Sequence, residues 1–98
     1  MEIVTKKDGN KLELAVSGRL DTSTSPKFEA EIKRSIDDIK ELIIDFENLD
    51  YISSSGLRIL LASQKIMNGQ GTMIVKNVKD SIMEIFEITG FTQILTIK

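Results

Sequence analysis

The chain contains neither cysteine nor histidine among its 98 residues. Without a thiol there is no disulfide framework and no thiolate metal site. Without an imidazole, Ser-His-Asp and Cys-His catalysis are excluded, together with the common zinc sites. Carboxylates are the remaining metal ligands, a set suited to Mg²⁺ or Ca²⁺. Aromatic residues are scarce, being limited to Phe28, Phe46, Tyr51, Phe86 and Phe91. The 13 Lys and Arg residues are scattered among 15 Asp and Glu, giving a formal net charge of -2 and no basic cluster. Phosphate backbones are bound through basic patches, so no direct nucleic-acid contact is expected. No apolar run approaches the roughly 18 residues of a membrane span. Met1-Glu2-Ile3-Val4 matches neither a signal peptide nor a myristoylation motif. The absence of cysteine fits a reducing compartment, and the expectation is a cytoplasmic protein without a membrane role.

What is present is an ordinary folding composition. Hydrophobic residues make up 41% and charged residues 29%, enough apolar side chain to build a core and too little excess charge for disorder. The length suits one domain over residues 1–98, with no linker and no repeat.

Taken in order, residues 2–17 alternate about a turn at Lys7-Asp8-Gly9-Asn10, with Leu12, Leu14 and Val16 on one side and Lys11, Glu13 and Ala15 on the other. Asp-Gly between alternating runs predicts a hairpin. Gly18-Arg19-Leu20-Asp21 then leaves the second strand, and Thr22-Ser23-Thr24-Ser25-Pro26 leads into a helix. Phe28, Ile32 and Ile36 mark its apolar stripe. The run Leu42 to Phe46 reads as a strand in mid-sheet. Leu57, Leu60, Leu61 and Gln64, widened by Ile59, Ala62 and Ile66, give a second helix that stops near Gly69 and Gly71. Met73-Ile74-Val75 is a further strand. A helix capped at Asp80 or Ser81 runs to Gly90, and Ile94, Leu95 and Ile97 suggest a last edge strand. The expected order is β-β-α-β-α-β-α-β, an α/β fold with a mixed four- or five-stranded sheet and helices packed largely on one face.

The stretch that organises the chain is Asp45-Phe46-Glu47-Asn48-Leu49-Asp50-Tyr51-Ile52-Ser53-Ser54-Ser55-Gly56-Leu57-Arg58. It reads as the end of a buried strand, a short acidic loop and the first turn of a helix. Serine is among the best residues for capping the free N–H groups of that turn. One serine suffices for that, however, and here there are three. The strand-to-helix context also places them where open α/β sheets put their sites.

This stretch resembles the signature of the STAS domain, and most closely the small anti-sigma factor antagonists of bacteria. In those proteins a strand and loop lead to an Asp-Ser-Ser-Gly-Leu segment at a helix N-terminus, and the first serine of the pair is phosphorylated by a partner kinase. Aligned on Gly56-Leu57, that position is Ser54; the residue before it, usually Asp in the family, is Ser53 here. Ser53 and Ser55 stand as alternative acceptors. Gly18-Arg19-Leu20-Asp21 also resembles a family landmark, the Gly-x-Leu-Asp loop that contacts the kinase, with Asp21 as the matching residue. Read locally, an Asp before a helix is a cap or turn residue.

The resemblance implies the STAS fold and a protein that is no enzyme. It would bind an anti-sigma factor that is itself a serine kinase, release a sigma factor, and lose that binding when phosphorylated. A serine phosphatase would reverse the modification. The implied contact residues are Asp21, Ser53, Ser54, Ser55, Gly56, Leu57 and Arg58, with no metal or cofactor on this chain and a monomer when free. An alternative role is a STAS scaffold in a stress-sensing or lipid-transport complex, with structural serines. A serine hydrolase would need Gly-x-Ser-x-Gly. Around Ser54 the first glycine position is Ile52, and no histidine is available as base.

Overall fold

The computed structural model describes residues 1–98. Its spine is β2 (Lys11–Leu20), whose Leu12, Leu14 and Val16 alternate into the core while Lys11, Glu13 and Ala15 face away. β1 (Glu2–Asp8) pairs with it antiparallel, and Asp8 lies opposite Lys11 across the two-residue turn Gly9-Asn10. Gly9 has φ +60° and Asn10 does not share the positive φ, the pattern of a II′ hairpin with glycine first. The turn therefore centres one residue later than the Asp-Gly pair suggested.

β3 (Glu41–Asp45) runs parallel to the first half of β2, and β5 (Thr72–Lys76) runs parallel to β3. β4 (Leu49–Ile52) pairs in parallel with the last three residues of β2. The result is a mixed five-stranded sheet in the order β1-β2-β3-β5, with β4 beside the end of β2. Three helices complete the fold: α1 (Ser25–Ser35), α2 (Ser54–Asn68) and α3 (Asp80–Thr89).

The inward sheet residues share one 22-residue cluster with Phe28 and Ile32 of α1, Leu57, Leu60 and Met67 of α2, and Ile82 and Phe86 of α3. The helices thus cover one face, as expected. On the opposite face Ile43 lies between Glu13 and Ile74, outside that cluster, and Lys76 Nζ approaches Glu13 Oε1 at 3.4 Å. No helix is long and apolar enough to cross a membrane.

Several expectations are corrected. The acidic loop before α2 contains β4. Its four residues are buried only at the ends, Leu49 and Ile52, so no alternation announces a strand. The chain after Gly90 is not an edge strand. The Ile94 and Leu95 N–H groups donate back to the Phe91 carbonyl at 3.0 and 2.8 Å, closing a 3-10 turn over Phe91–Gln93. Only Ile97 then bridges to Val75. The N-cap of α3 is Lys79, not Asp80 or Ser81, and no side chain caps it. On α2, Ala62 and Ile66 face solvent while Ser63 is buried, its hydroxyl donating to the Ile59 carbonyl at 2.8 Å. Gly90 ends α3 as read, with φ +81°.

The glycine that matters after α2 is Gly71 rather than Gly69. A Cβ there would lie 2.0 Å from the Lys40 carbonyl oxygen, whereas at Gly69 the nearest atom is 3.4 Å away. Gly71→Ala is therefore expected to lose about 2–3 kcal/mol of stability, as overpacking against a fixed group does. Gly69→Ala, at an ordinary negative φ, should stay within about 0.5 kcal/mol of wild type. Urea denaturation of the two variants checks the pair, and equal midpoints would show that the α2–β5 connection yields freely.

Candidate functional site

One residue, Ser53, separates β4 from α2. Its extended backbone (φ -97°, ψ 175°) turns the chain from strand into helix. Its N–H donates to the Leu20 carbonyl at 2.8 Å, and its own carbonyl accepts from the Leu57 N–H at 3.0 Å. The backbone of Ser53 is thus fastened to β2 on one side and to α2 on the other. A serine at this position usually turns its hydroxyl onto a first-turn N–H. Ser53 does not; its Oγ is buried and has no hydrogen-bond partner.

The helix begins with Ser54, which is exposed, followed by half-buried Ser55 and buried Gly56 and Leu57. Glycine is required at 56 because a Cβ would meet Leu20 Cγ at 2.8 Å and Ile52 Cγ1 at 2.9 Å. That close approach presses the first turn onto the ends of β2 and β4. The N–H groups of Ser54, Ser55 and Gly56 precede the first backbone bond of the helix, made by Leu57, and no side chain caps them. They are the free donors of a helix N-terminus, where the dipole favours negative charge.

Asp21 shapes the neighbouring loop. Its Oδ1 accepts from the Ser23 hydroxyl at 2.8 Å, the Ser23 N–H at 3.0 Å and the Thr24 N–H at 3.1 Å. These bonds, led by the Ser23 hydroxyl and the Thr24 N–H, hold the carboxyl below its ordinary pKa. The main chain of Asp21 accepts from the Ser25 N–H and hydroxyl at 2.8 and 2.6 Å, starting α1. The local reading of Asp21 as a turn residue therefore holds, but it is not the cap: the N-cap of α1 is Thr24, and no side chain caps that helix.

The two segments meet. Thr22 Oγ1 lies 3.4 Å from Ser55 Oγ, and an Arg58 guanidinium nitrogen lies 3.5 Å from the same atom. Beside them an open groove of about 540 Å³ runs between α1 and α2, its rim including Pro26, Glu29, Arg58 and Lys65. Across the strand ends the Arg19 guanidinium stacks over the Tyr51 ring, 4.2 Å from its centre, and its Nε lies 3.7 Å from Asp21 Oδ2. Lys79 Nζ is 2.7 Å from Asp50 Oδ1.

The structure thus brings Asp21 and the Ser53–Arg58 run into one region, with Ser54 outward, Ser53 inward and Ser55 held at its edge. Arg19, Thr22, Tyr51 and Lys65 join them without having been singled out. Arg19 and Tyr51 face each other only because β4 pairs with β2, so their signal was hidden with that strand. For catalysis Ser54 would need Asp21 or Asp50 as a base. The first carboxylate is engaged by Ser23 and Thr24, and the second by Lys79.

Comparison with known proteins bears on this arrangement. The profile of the STAS domain matches residues 2–98. The candidate anti-sigma factor antagonist BtrV of Bordetella bronchiseptica is 30% identical over 99% of this chain and 85% of its own length. An anti-sigma-B factor antagonist of Listeria monocytogenes is 27% identical over 97% of this chain and 85% of its own. Among solved structures, the Bacillus cell fate determinant SpoIIAA in its phosphorylated form superposes with a TM-score of 0.77 at 19% identity. That superposition covers 99% of this chain and 91% of SpoIIAA, and shows a shared fold.

The lowered pKa of Asp21 sets a pH window. Its contribution to stability is complete above the ordinary carboxyl value of 3.8 and is lost as pH falls through the lower value of the folded state. The Tm difference between wild type and Asp21→Ala should therefore be constant near neutrality and shrink below that pH. Thermal melts from pH 7 to pH 2 measure it, and a difference that persists in acid would detach the effect from the carboxylate.

Proposed function

The chain belongs to the STAS domain family and to the anti-sigma factor antagonists within it; from that premise we propose that residues 1–98 act as one binding domain whose partner is an anti-sigma factor, switched by phosphorylation of Ser54. The observation that carries this reading is the position of the Ser54 hydroxyl: exposed, first in α2, beside uncapped N–H donors. Ser53 is less suited as acceptor because its Oγ is buried, and Ser55 because its Oγ lies against Thr22 and Arg58.

In the proposed cycle the unmodified domain binds an anti-sigma factor that is also a serine kinase, and so releases a sigma factor. Ser54 Oγ then takes the γ-phosphoryl group of ATP held by that kinase, releasing ADP and the hydroxyl proton. A serine phosphatase restores the hydroxyl. ATP and metal belong to those partners. The protein works in the cytoplasm, as a monomer when free.

The physical basis of the switch is charge at a complementary surface. Phosphorylation adds about -1.5 to -2 charges and strong acceptor oxygens to a neutral serine. Enclosing such a group in an interface without a matching cation is costly. The helix N-terminus accepts the anion, so the domain stays folded while the docked partner is lost. Asp21 contributes by holding the 21–25 loop beside this surface; Ser55 and Arg58 flank Ser54 on it, while Ser53 and the buried Gly56 and Leu57 serve it from below by holding the start of α2 in place. Asp21→Ala is accordingly expected to weaken the complex, through the shape of that loop, in a domain that still folds.

Ser54→Ala should stay bound to the kinase and resist modification, whereas Ser54→Asp should bind about tenfold or more weakly. Co-purification from the native cells, with surface plasmon resonance on the recovered partner and phosphopeptide mapping of position 54, checks both. Wild-type binding by both variants would move the interface elsewhere.

A further inference from the structure

Arg58 lies four residues after Ser54, one turn along the same face of α2. Helical side chains lean toward the N-terminus of their helix. Arg58 does so, since its Nη2 stands 3.5 Å from Ser55 Oγ. That contact is at the outer limit of a hydrogen bond. Arg58 is exposed and, unlike five other basic residues, takes part in no ion pair.

The other charged groups around this end of the fold are committed or further away. From β2, Arg19 is held by Asp21 and by the Tyr51 ring. At the N-cap of α3, Lys79 is held by Asp50 of β4. Across the groove α1 presents Glu29, and Lys65 lies two turns beyond Arg58 on α2. Arg58 is therefore the uncommitted guanidinium in helical reach of position 54.

We infer that Arg58 is the intramolecular receptor for the phosphate on Ser54. On modification its guanidinium leaves Ser55 Oγ and the α1–α2 groove and pairs with the phosphate oxygens, while the free N–H groups of the first turn supply the remaining donors. The planar fork of arginine suits two parallel bonds to a phosphate, which a lysine ammonium cannot reproduce. Modification then changes two surfaces at once. It places a partly neutralised phosphate at the start of α2, and it withdraws one of the two cations, Arg58 and Lys65, that line the groove. A single covalent event is read over a wider area than the serine itself, with no movement of the backbone.

This inference rests on the reading of Ser54 as the modified residue, and its test is kept separate by installing phosphoserine at position 54 during translation rather than by the kinase. The ³¹P NMR signal of that group is titrated in wild type, Arg58→Ala, Arg58→Lys and Arg19→Ala, with circular dichroism confirming that each is folded. Phosphoserine ordinarily has a second pKa of about 6, and in wild type it should lie about half a unit or more below its value in Arg58→Ala. Arg58→Lys should fall between these two, and Arg19→Ala should follow wild type. A merely structural role for Arg58 would leave the phosphate titration unmoved, so identical curves for wild type and Arg58→Ala overturn the inference. A larger shift from Arg19→Ala overturns it also, by placing the phosphate on the strand side. Absence of phosphate on Ser54 in native cells would defeat the proposed switch without altering this result.

Discussion

The parallel pairing of Gly18–Leu20 with Leu49–Ile52 is the constraint on which the functional end of the molecule depends. β2 spends its first half on β3 and its last three residues on β4, and the change comes at Gly18, where φ is +87° and the register shifts. The Gly18 N–H donates to the Asn48 carbonyl at 2.9 Å, which ties the tight turn after Phe46 to the same point. From there the geometry follows by short steps. Ser53 N–H reaches the Leu20 carbonyl, and Gly56 packs without a side chain onto Leu20 and Ile52. The start of α2 is thereby placed on strand ends that also deliver the Asp21 loop. A positive φ at 18 and a close approach at 56 are both conditions that glycine meets at little steric cost.

This dependence explains what could be read from the residues and what could not. Alternation at Leu12, Leu14 and Val16, the stripe of Phe28 and Ile32, and the glycine stop at Gly90 are local patterns with one physical solution each. β4 is not local. Leu49-Asp50-Tyr51-Ile52 has no period of its own and becomes a strand only because β2 offers it an edge. The C-terminal residues failed the other way: Ile94, Leu95 and Ile97 carry strand-like side chains, yet two of their N–H groups are used in the turn begun at Phe91. Within the site, Ser53, Ser54 and Ser55 are equivalent as letters. Their separation into buried, exposed and half-buried hydroxyls comes from the helix phase that Gly56 and Leu57 impose by packing inward. The Arg19–Tyr51 stack stayed hidden for the same reason as β4.

The electrostatics of this end favour recognition over chemistry. Asp21 and Asp50 each face a partner group, Arg19 is shared between a carboxylate and a ring, and these contacts lie at the surface, where solvent and salt screen ion pairs and leave them little weight in stability. Their consequence is orientation. Charges held in fixed places give a partner a pattern to match and limit wrong pairings. An acid–base site would instead need a carboxylate with a raised pKa beside the serine. Asp21 is shifted the opposite way by its bonds to Ser23 and Thr24.

The family commonly places an Asp before the modified serine, and a carboxylate at that N-cap would occupy first-turn N–H groups and repel an incoming phosphate. Here the residue is neutral and its hydroxyl is turned into the protein, away from those donors. The cost is a buried hydroxyl without a partner, a defect worth about 1–3 kcal/mol in general. The gain is an N-terminus whose N–H groups are free, with Arg58, which is in no ion pair, one turn further along the helix. A serine at 53 thus leaves the start of α2 more receptive to an anion on Ser54 than an aspartate would.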